Sequence, residues 1–176
     1  MNHIHSRNPR TGELQFEPLP ETTPDDVDSQ AERAHTAWTT WASTSPANRA
    51  AVLDAIAQNL DDNVEELAEL ADAETALGYA RLVGEVARTT FQLRLFASEL
   101  RTGTLLAGES DEPIEGAPPA GRPRLDRRFV PLGPVAVFGA SNFPFAFGEL
   151  GGDVASALAA GCSVVIKEHP GHPVLA

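Results

Sequence analysis

Two apolar runs constrain this chain more than anything else in it: Pro134-Val135-Ala136-Val137-Phe138 and Ser163-Val164-Val165-Ile166-Lys167. Both are short, rich in β-branched residues and nearly all apolar, the pattern of strands buried on both faces of a parallel sheet. Gly151, Gly152, Ala155, Ser156, Ala157, Ala159 and Ala160 between them describe a slim helix, expected over Phe145 to Ala160, and Gly161 is its natural stop. Strand, helix and strand form one β-α-β unit. Two parallel strands do not make a stable sheet by themselves, so the sequence reads as the front part of a larger α/β protein.

The second strand ends on Lys167, the single lysine of a chain whose other cations are arginines. In an open parallel sheet the carboxyl ends of the strands face the ligand crevice. Lys167 and the following Glu168-His169-Pro170 would therefore reach toward the ribose of a bound dinucleotide, or else form an ordinary exposed loop. The first strand runs into Gly139-Ala140-Ser141-Asn142, which stands where a dinucleotide-binding turn belongs but is not a G-x-G-x-x-G fingerprint. Ser141 or Asn142 is either the N-cap of the next helix or a polar group facing the crevice. A carboxamide there can donate a hydrogen bond to a developing oxyanion.

Other groups carry less. His169 and His172 are separated by Pro170 and followed by Pro173, so they do not share a helical face, and no metal site is expected. Cys162 enters a buried strand and reads as a small core residue rather than a nucleophile. Phe138, Phe143, Phe145 and Phe147 either line an apolar pocket or pack in the core.

Composition narrows the class. A net charge of -12 argues against nucleic-acid or membrane-surface binding, both of which need clustered cations. One cysteine excludes an internal disulfide and fits a reducing cytoplasm. The N-terminus lacks a signal-peptide pattern, and no apolar run approaches the ~20 residues of a membrane span.

Upstream, residues 1–20 suggest a hairpin around Asn8-Pro9-Arg10-Thr11-Gly12. Thr23-Pro24 and Ser45-Pro46 are helix starts. Val27, Ala31, Ala34, Trp38 and Trp41 mark one apolar face; Val52, Leu53, Ile56 and Leu60 mark a second, continued by Leu67, Leu70 and Ala71. After an interruption at Gly78, a long helix is expected from Arg81 to Leu100. Residues 102–123, dense in Gly and Pro, read as a surface loop, followed by a short strand over Arg127–Val130. A new helix is expected to begin near His172.

Two stretches resemble the aldehyde dehydrogenase superfamily: Gly133-Pro134-Val135-Ala136-Val137-Phe138-Gly139-Ala140-Ser141-Asn142-Phe143-Pro144, and Ala155-Ser156-Ala157-Leu158-Ala159-Ala160-Gly161-Cys162-x-Val164-Val165-Ile166-Lys167. With Gly151-Gly152-Asp153 and Lys167-x-His169-Pro170-x-His172-Pro173, the chain resembles more narrowly the NADP-linked branch acting on α-ketoglutaric semialdehyde. Asn8-Pro9-x-Thr11-Gly12-Glu13, Ala73-Glu74-Thr75 and Glu85-x-x-Arg88-Thr89-Thr90 agree.

The resemblance implies an α/β fold. Residues 1–126 would supply a hairpin, helices and the Pro/Gly-rich loop, and 127–176 the start of a Rossmann-like dinucleotide-binding domain, incomplete. It implies Asn142 as the oxyanion-hole amide; Phe138, Gly139, Ala140, Ser141, Lys167, His169 and Pro170 along the cofactor; and Phe143, Phe147 and Leu150 along the substrate tunnel. Many NAD-preferring relatives carry a glutamate three residues after the lysine. Pro170 stands there instead, which favours NADP, with NAD as the alternative. The family's nucleophilic cysteine and general-base glutamate lie beyond residue 176, so this chain alone is expected to be inactive. In the full-length protein the resemblance implies a small-molecule aldehyde substrate, a homo-oligomer and a cytoplasmic location. A non-enzymatic nucleotide-binding or subunit-interaction remnant is the competing reading.

Overall fold

A computed structural model describes residues 3–176. The expected hairpin forms from β1 (His3–Arg7) and β2 (Leu14–Pro20), paired antiparallel, with Met1 and Asn2 outside the described residues. The Asn8 side chain accepts the Arg10 amide at 2.9 Å, and Gly12 supplies the positive φ that closes the turn. The pairing slips between Ile4 and Ser6.

Four helices follow. α1 (Pro24–Trp41) starts at a capping box in which Thr23 and Asp26 satisfy each other's backbone amides, and that Thr23 hydroxyl holds the Asp26 carboxyl below its usual range. α2 (Pro46–Asp62) starts at Ser45, whose hydroxyl accepts the Asn48 amide at 3.2 Å. α3 (Val64–Thr75) restarts after Asn63 leaves the helical region. Gly78, at φ +97°, admits α4 (Tyr79–Thr102), which runs slightly beyond the expected range at both ends.

α4 is the central strut. It packs on α2, α3 and on the small-residue helix α5 (Gly152–Ala160). Leu53, Leu82, Val86 and Leu93 are fully buried in one cluster that also takes in Phe145, Ala155 and Ala159, so the helices and the β-α-β unit share a core. Truncating one of these leucines to alanine costs about 2–5 kcal/mol.

The β-α-β unit consists of β5 (Val135–Phe138), α5 and β6 (Val164–Lys167), with the strands parallel and adjacent. α1 lies along β6: the Ser163 hydroxyl donates to the Ala34 carbonyl at 2.7 Å, and the Trp41 indole N–H donates to the Leu158 carbonyl at 3.0 Å.

Several expectations need correction. The 102–123 stretch is not bare loop. After a 3₁₀ turn at Thr104–Leu106, β3 (Glu109–Asp111) pairs antiparallel with β4 (Leu125–Arg127), and Ile114 bridges Arg122. The turn residues between them close a hairpin-like arm. The short strand is therefore shifted to Leu125–Arg127. Three residues of β3 give it only three to pair with, and Arg128–Val130 follow as irregular backbone. The apolar face of α1 buries only Ala34, while Val27 is about half exposed, because α1 is docked mainly through its β6 contacts. The helix expected from Phe145 begins at Gly152, and its N-cap is Gly151 rather than Ser141 or Asn142. Residues 172–176 make a single turn, closed by the Ala176 amide on the His172 carbonyl at 3.4 Å.

Candidate functional site at the carboxyl edge of the parallel strands

The parallel register pairs Phe138 with Lys167, and the ladder extends one residue further, with the Gly139 amide donating to the Lys167 carbonyl at 3.0 Å. Two loops therefore leave the same strand edge side by side: 139–142 after β5 and 168–172 after β6. A Cβ built on Gly171 would lie 3.1 Å from the Ser141 Cβ, and His172, fully buried, has Nε2 3.4 Å from the Ala140 carbonyl. The His169 Nδ1 accepts the Gly171 amide at 3.0 Å, which leaves the ring proton on Nε2 when the ring is neutral. These two histidines are thus engaged with backbone. Lys167 is exposed, its ammonium donating, among the described residues, only to the neighbouring Glu168 carbonyl at 2.6 Å; Pro170 is exposed beyond it. Phe138 is 72% exposed on its strand.

The segment from Asn142 to Leu150 is turn rather than helix. The Ala140 amide donates to the Phe147 carbonyl, folding the segment back on itself, and a Cβ on Gly148 would sit 1.7 Å from the Pro144 carbonyl oxygen. Only glycine permits that closure. Phe143 and Phe147 meet edge to face with centroids 5.5 Å apart, Leu150 is partly exposed, and Phe145 turns inward to the core. Asn142 is exposed, and its side-chain amide makes no hydrogen bond among the described residues.

Helix α4 holds this segment through one stripe, Arg81, Glu85 and Arg88. The buried Glu85 carboxylate accepts the amides of Phe145 at 2.9 Å and Ala146 at 3.1 Å through the same oxygen. Arg81 donates to the Asn142 carbonyl at 2.5 Å and lies over the Phe143 ring, 5.1 Å from its centroid. Arg88 lies 5.3 Å over Phe147. A second buried carboxylate, Glu74 of α3, accepts the amides of Val174 and Leu175 and anchors the turn after His172. Sequence reasoning assigned these four residues no role. The signal was nonetheless present for the two acids. Glu85 falls three residues after Leu82 and Glu74 three after Ala71, core-facing spacings at which a carboxylate must find partners.

Cys162 is buried at the opposite end of β6 from Lys167, a strand's length away from the Asn142 edge. It lies beside the buried Arg49, whose guanidinium pKa is pushed down by burial. Among the described residues no group of three or more His, Cys, Asp or Glu side chains could hold a metal, and no helix is long and apolar enough to cross a membrane.

Comparison with known proteins places this geometry in context. Residues 1–176 match the aldehyde dehydrogenase family over their whole length. The α-ketoglutaric semialdehyde dehydrogenase of Acinetobacter baylyi is 45% identical over 152 residues, 86% of this chain and 29% of that protein. α-Ketoglutaric semialdehyde dehydrogenase 2 of Azospirillum brasilense is 48% identical over 147 residues, 84% of this chain and 28% of that protein. Among solved structures, aldehyde dehydrogenase 21 of Physcomitrella patens, in complex with its reaction product succinate, superposes with a TM-score of 0.85 at 25% identity, over 98% of this chain and 34% of that one. The chain thus spans less than a third of the length of the curated relatives it matches.

Proposed function

This chain belongs to the aldehyde dehydrogenase family, and from that premise we propose that it is the N-terminal portion of an NADP-dependent enzyme that oxidises a semialdehyde to the carboxylic acid. α-Ketoglutaric semialdehyde, the substrate in the names of two relatives, is the substrate we assign. The observation that carries the proposal is the parallel Phe138–Lys167 pairing, which brings the Asn142 loop and Lys167 to one strand edge.

In this reading residues 127–176 open the cofactor domain and 1–126 brace it. NADP, when bound, supplies the hydride acceptor. The exposed Phe138, the Gly139-Ala140-Ser141 turn, and Lys167, His169 and Pro170 at the adjacent loop would hold it. Their chemistry suits a phosphorylated ribose. Among the described residues Lys167 has a carbonyl as its one partner, which a phosphate could displace, and Pro170 presents no carboxylate against one. The unengaged Asn142 amide would donate to the oxygen that becomes anionic when a thiolate attacks the aldehyde. Phe143, Phe147 and Leu150 would form the apolar wall along which the aldehyde chain lies. Cys162, buried at the far end of β6, is not the nucleophile; that thiolate and the general base would come from the remaining length of the protein. The working enzyme would be a cytoplasmic homo-oligomer.

The test is the polypeptide encoded in frame through residue 176, assayed for NADP reduction with α-ketoglutaric semialdehyde, beside the 176-residue chain alone. Activity is expected of the longer protein only. A stop codon directly after residue 176 would favour a nucleotide-binding or subunit-interaction remnant instead, and activity of the 176-residue chain by itself would overturn the assignment of the nucleophile.

A further inference from the structure

Arg81 and Arg88 differ from half of the twelve arginines in this protein. The chain carries 25 acidic residues against 13 basic ones, and Arg10, Arg94, Arg101, Arg122, Arg124 and Arg127 all have carboxylate partners within 4.0 Å. Arg81 and Arg88 have none among the described residues, although Glu85 lies between them on the same stripe of α4. Its carboxylate is instead turned onto the Phe145 and Ala146 amides. Both guanidiniums lie over aromatic rings, Arg81 over Phe143 and Arg88 over Phe147. A guanidinium supported by a ring face is weakly hydrated, and its planar N–H fork matches a carboxylate. Arg81 is already engaged with the Asn142 carbonyl; Arg88 makes no hydrogen bond among the described residues.

The two stacked pairs also have a direction. Arg81 and Phe143 stand beside Asn142, and Arg88 and Phe147 lie further along the same wall. Seven residues separate the arginines, two turns and about 10 Å of helix. We infer that Arg88, supported by Arg81, binds a carboxylate at the far end of the substrate, so that this wall selects aldehydes bearing an anionic group over neutral ones. The inference rests on the reading of Asn142 as the group that meets the aldehyde oxygen. It adds what reads the other end of the molecule. In a protein of net charge -12, two cations without carboxylate partners on one wall form a local positive patch, which favours anionic over neutral ligands.

The 176-residue chain can be titrated with glutarate, an unreactive five-carbon dicarboxylate, and in parallel with the uncharged pentane-1,5-diol, with side-chain NMR as the readout. The Arg88 Nε–H and Phe147 ring signals are expected to move with glutarate and not with the diol. Arg88→Met, which keeps the stem over the ring, should abolish the shift, and Arg88→Lys should retain part of it. Equal shifts with the diol, or glutarate shifts that survive Arg88→Met, overturn the inference. In the longer catalytic polypeptide, Arg88→Met should lower the kcat/KM preference for 5-oxopentanoate over pentanal about ten- to a hundred-fold, mainly through a raised KM for the anionic aldehyde. An unchanged preference between these two aldehydes after Arg88→Met sinks this inference and leaves the aldehyde dehydrogenase reading standing. Failure of the unmutated polypeptide to oxidise either aldehyde sinks both.

Discussion

Glu85, buried in the second turn of α4, accepts the backbone amide of Phe145 at 2.9 Å, across sixty residues of sequence. The same oxygen takes the Ala146 amide, so one side chain satisfies two donors that an α-helix starting at Phe145 would have left at its first turn. The segment that begins at Asn142 is thereby anchored to the long helix that packs on α2, α3 and α5.

Removing that acceptor should be costly. Glu85→Ala leaves two buried amides without partners and is expected to destabilise the chain by about 2–4 kcal/mol. Glu85→Gln retains an oxygen and should cost less. Urea denaturation measures the loss, and hydrogen exchange at Phe145 and Ala146 locates it. If both amides stay protected in Glu85→Ala, the carboxylate is not what holds the turn.

Lys167 should report the cofactor. Lys167→Met keeps the apolar stem and removes the charge. A charge-assisted contact to the 2′-phosphate is worth roughly 1.5–3 kcal/mol, so NADP binding by the longer enzyme should weaken by about one to two orders of magnitude. NAD, without that phosphate, should lose less. Titration of both cofactors decides it: equal losses mean that Lys167 does not read the phosphate.

The N-terminal hairpin should release in acid. Arg10 grips both Asp72 carboxylate oxygens at 2.8 and 2.9 Å and the Asp72 carbonyl at 3.0 Å, and the Arg10 hydrogen bond holds the Asp72 carboxyl below its usual range. A depressed folded-state pKa contributes stability that is full above the ordinary carboxylate value of about 4 and is lost as pH falls through the lower folded value. Both partners are partly exposed, so Arg10→Ala should cost no more than about 1 kcal/mol at neutral pH. Thermal melts from pH 7 to 3 should show the Arg10→Ala deficit shrinking toward zero at the acid end. A deficit constant across that range would exclude the ion pair as its source.

Helix α1 should be the first to detach. It buries only Ala34, and its docking rests on Ser163 to the Ala34 carbonyl and Trp41 to the Leu158 carbonyl. Trp41→Phe keeps the ring and removes the indole donor, leaving a half-buried carbonyl to solvent at a cost of about 1 kcal/mol. Amide exchange should quicken across α1 and stay unchanged in α4. A uniform increase over both helices would show that α1 is not an independent opening unit.

The sequence by itself determined the elements whose signals lie within a few residues. Thr23-Pro24 and Ser45-Pro46 begin helices where their side chains can cap nearby amides, and Gly161 ends α5 with a positive φ. The two apolar runs pair in parallel because only that arrangement lets a short helix return between them. The tertiary structure decided what depends on partners distant in the chain. Glycine's low helix propensity and the capture of the Phe145 and Ala146 amides by Glu85 delay α5 until Gly152. Backbone pairing across a Gly- and Pro-rich stretch turned an expected loop into the β3–β4 arm. The stacking of Arg81 and Arg88 on Phe143 and Phe147 was likewise invisible in sequence. Periodicity tells which face of a helix is apolar, but only packing tells which distant segment its charged side chains will meet.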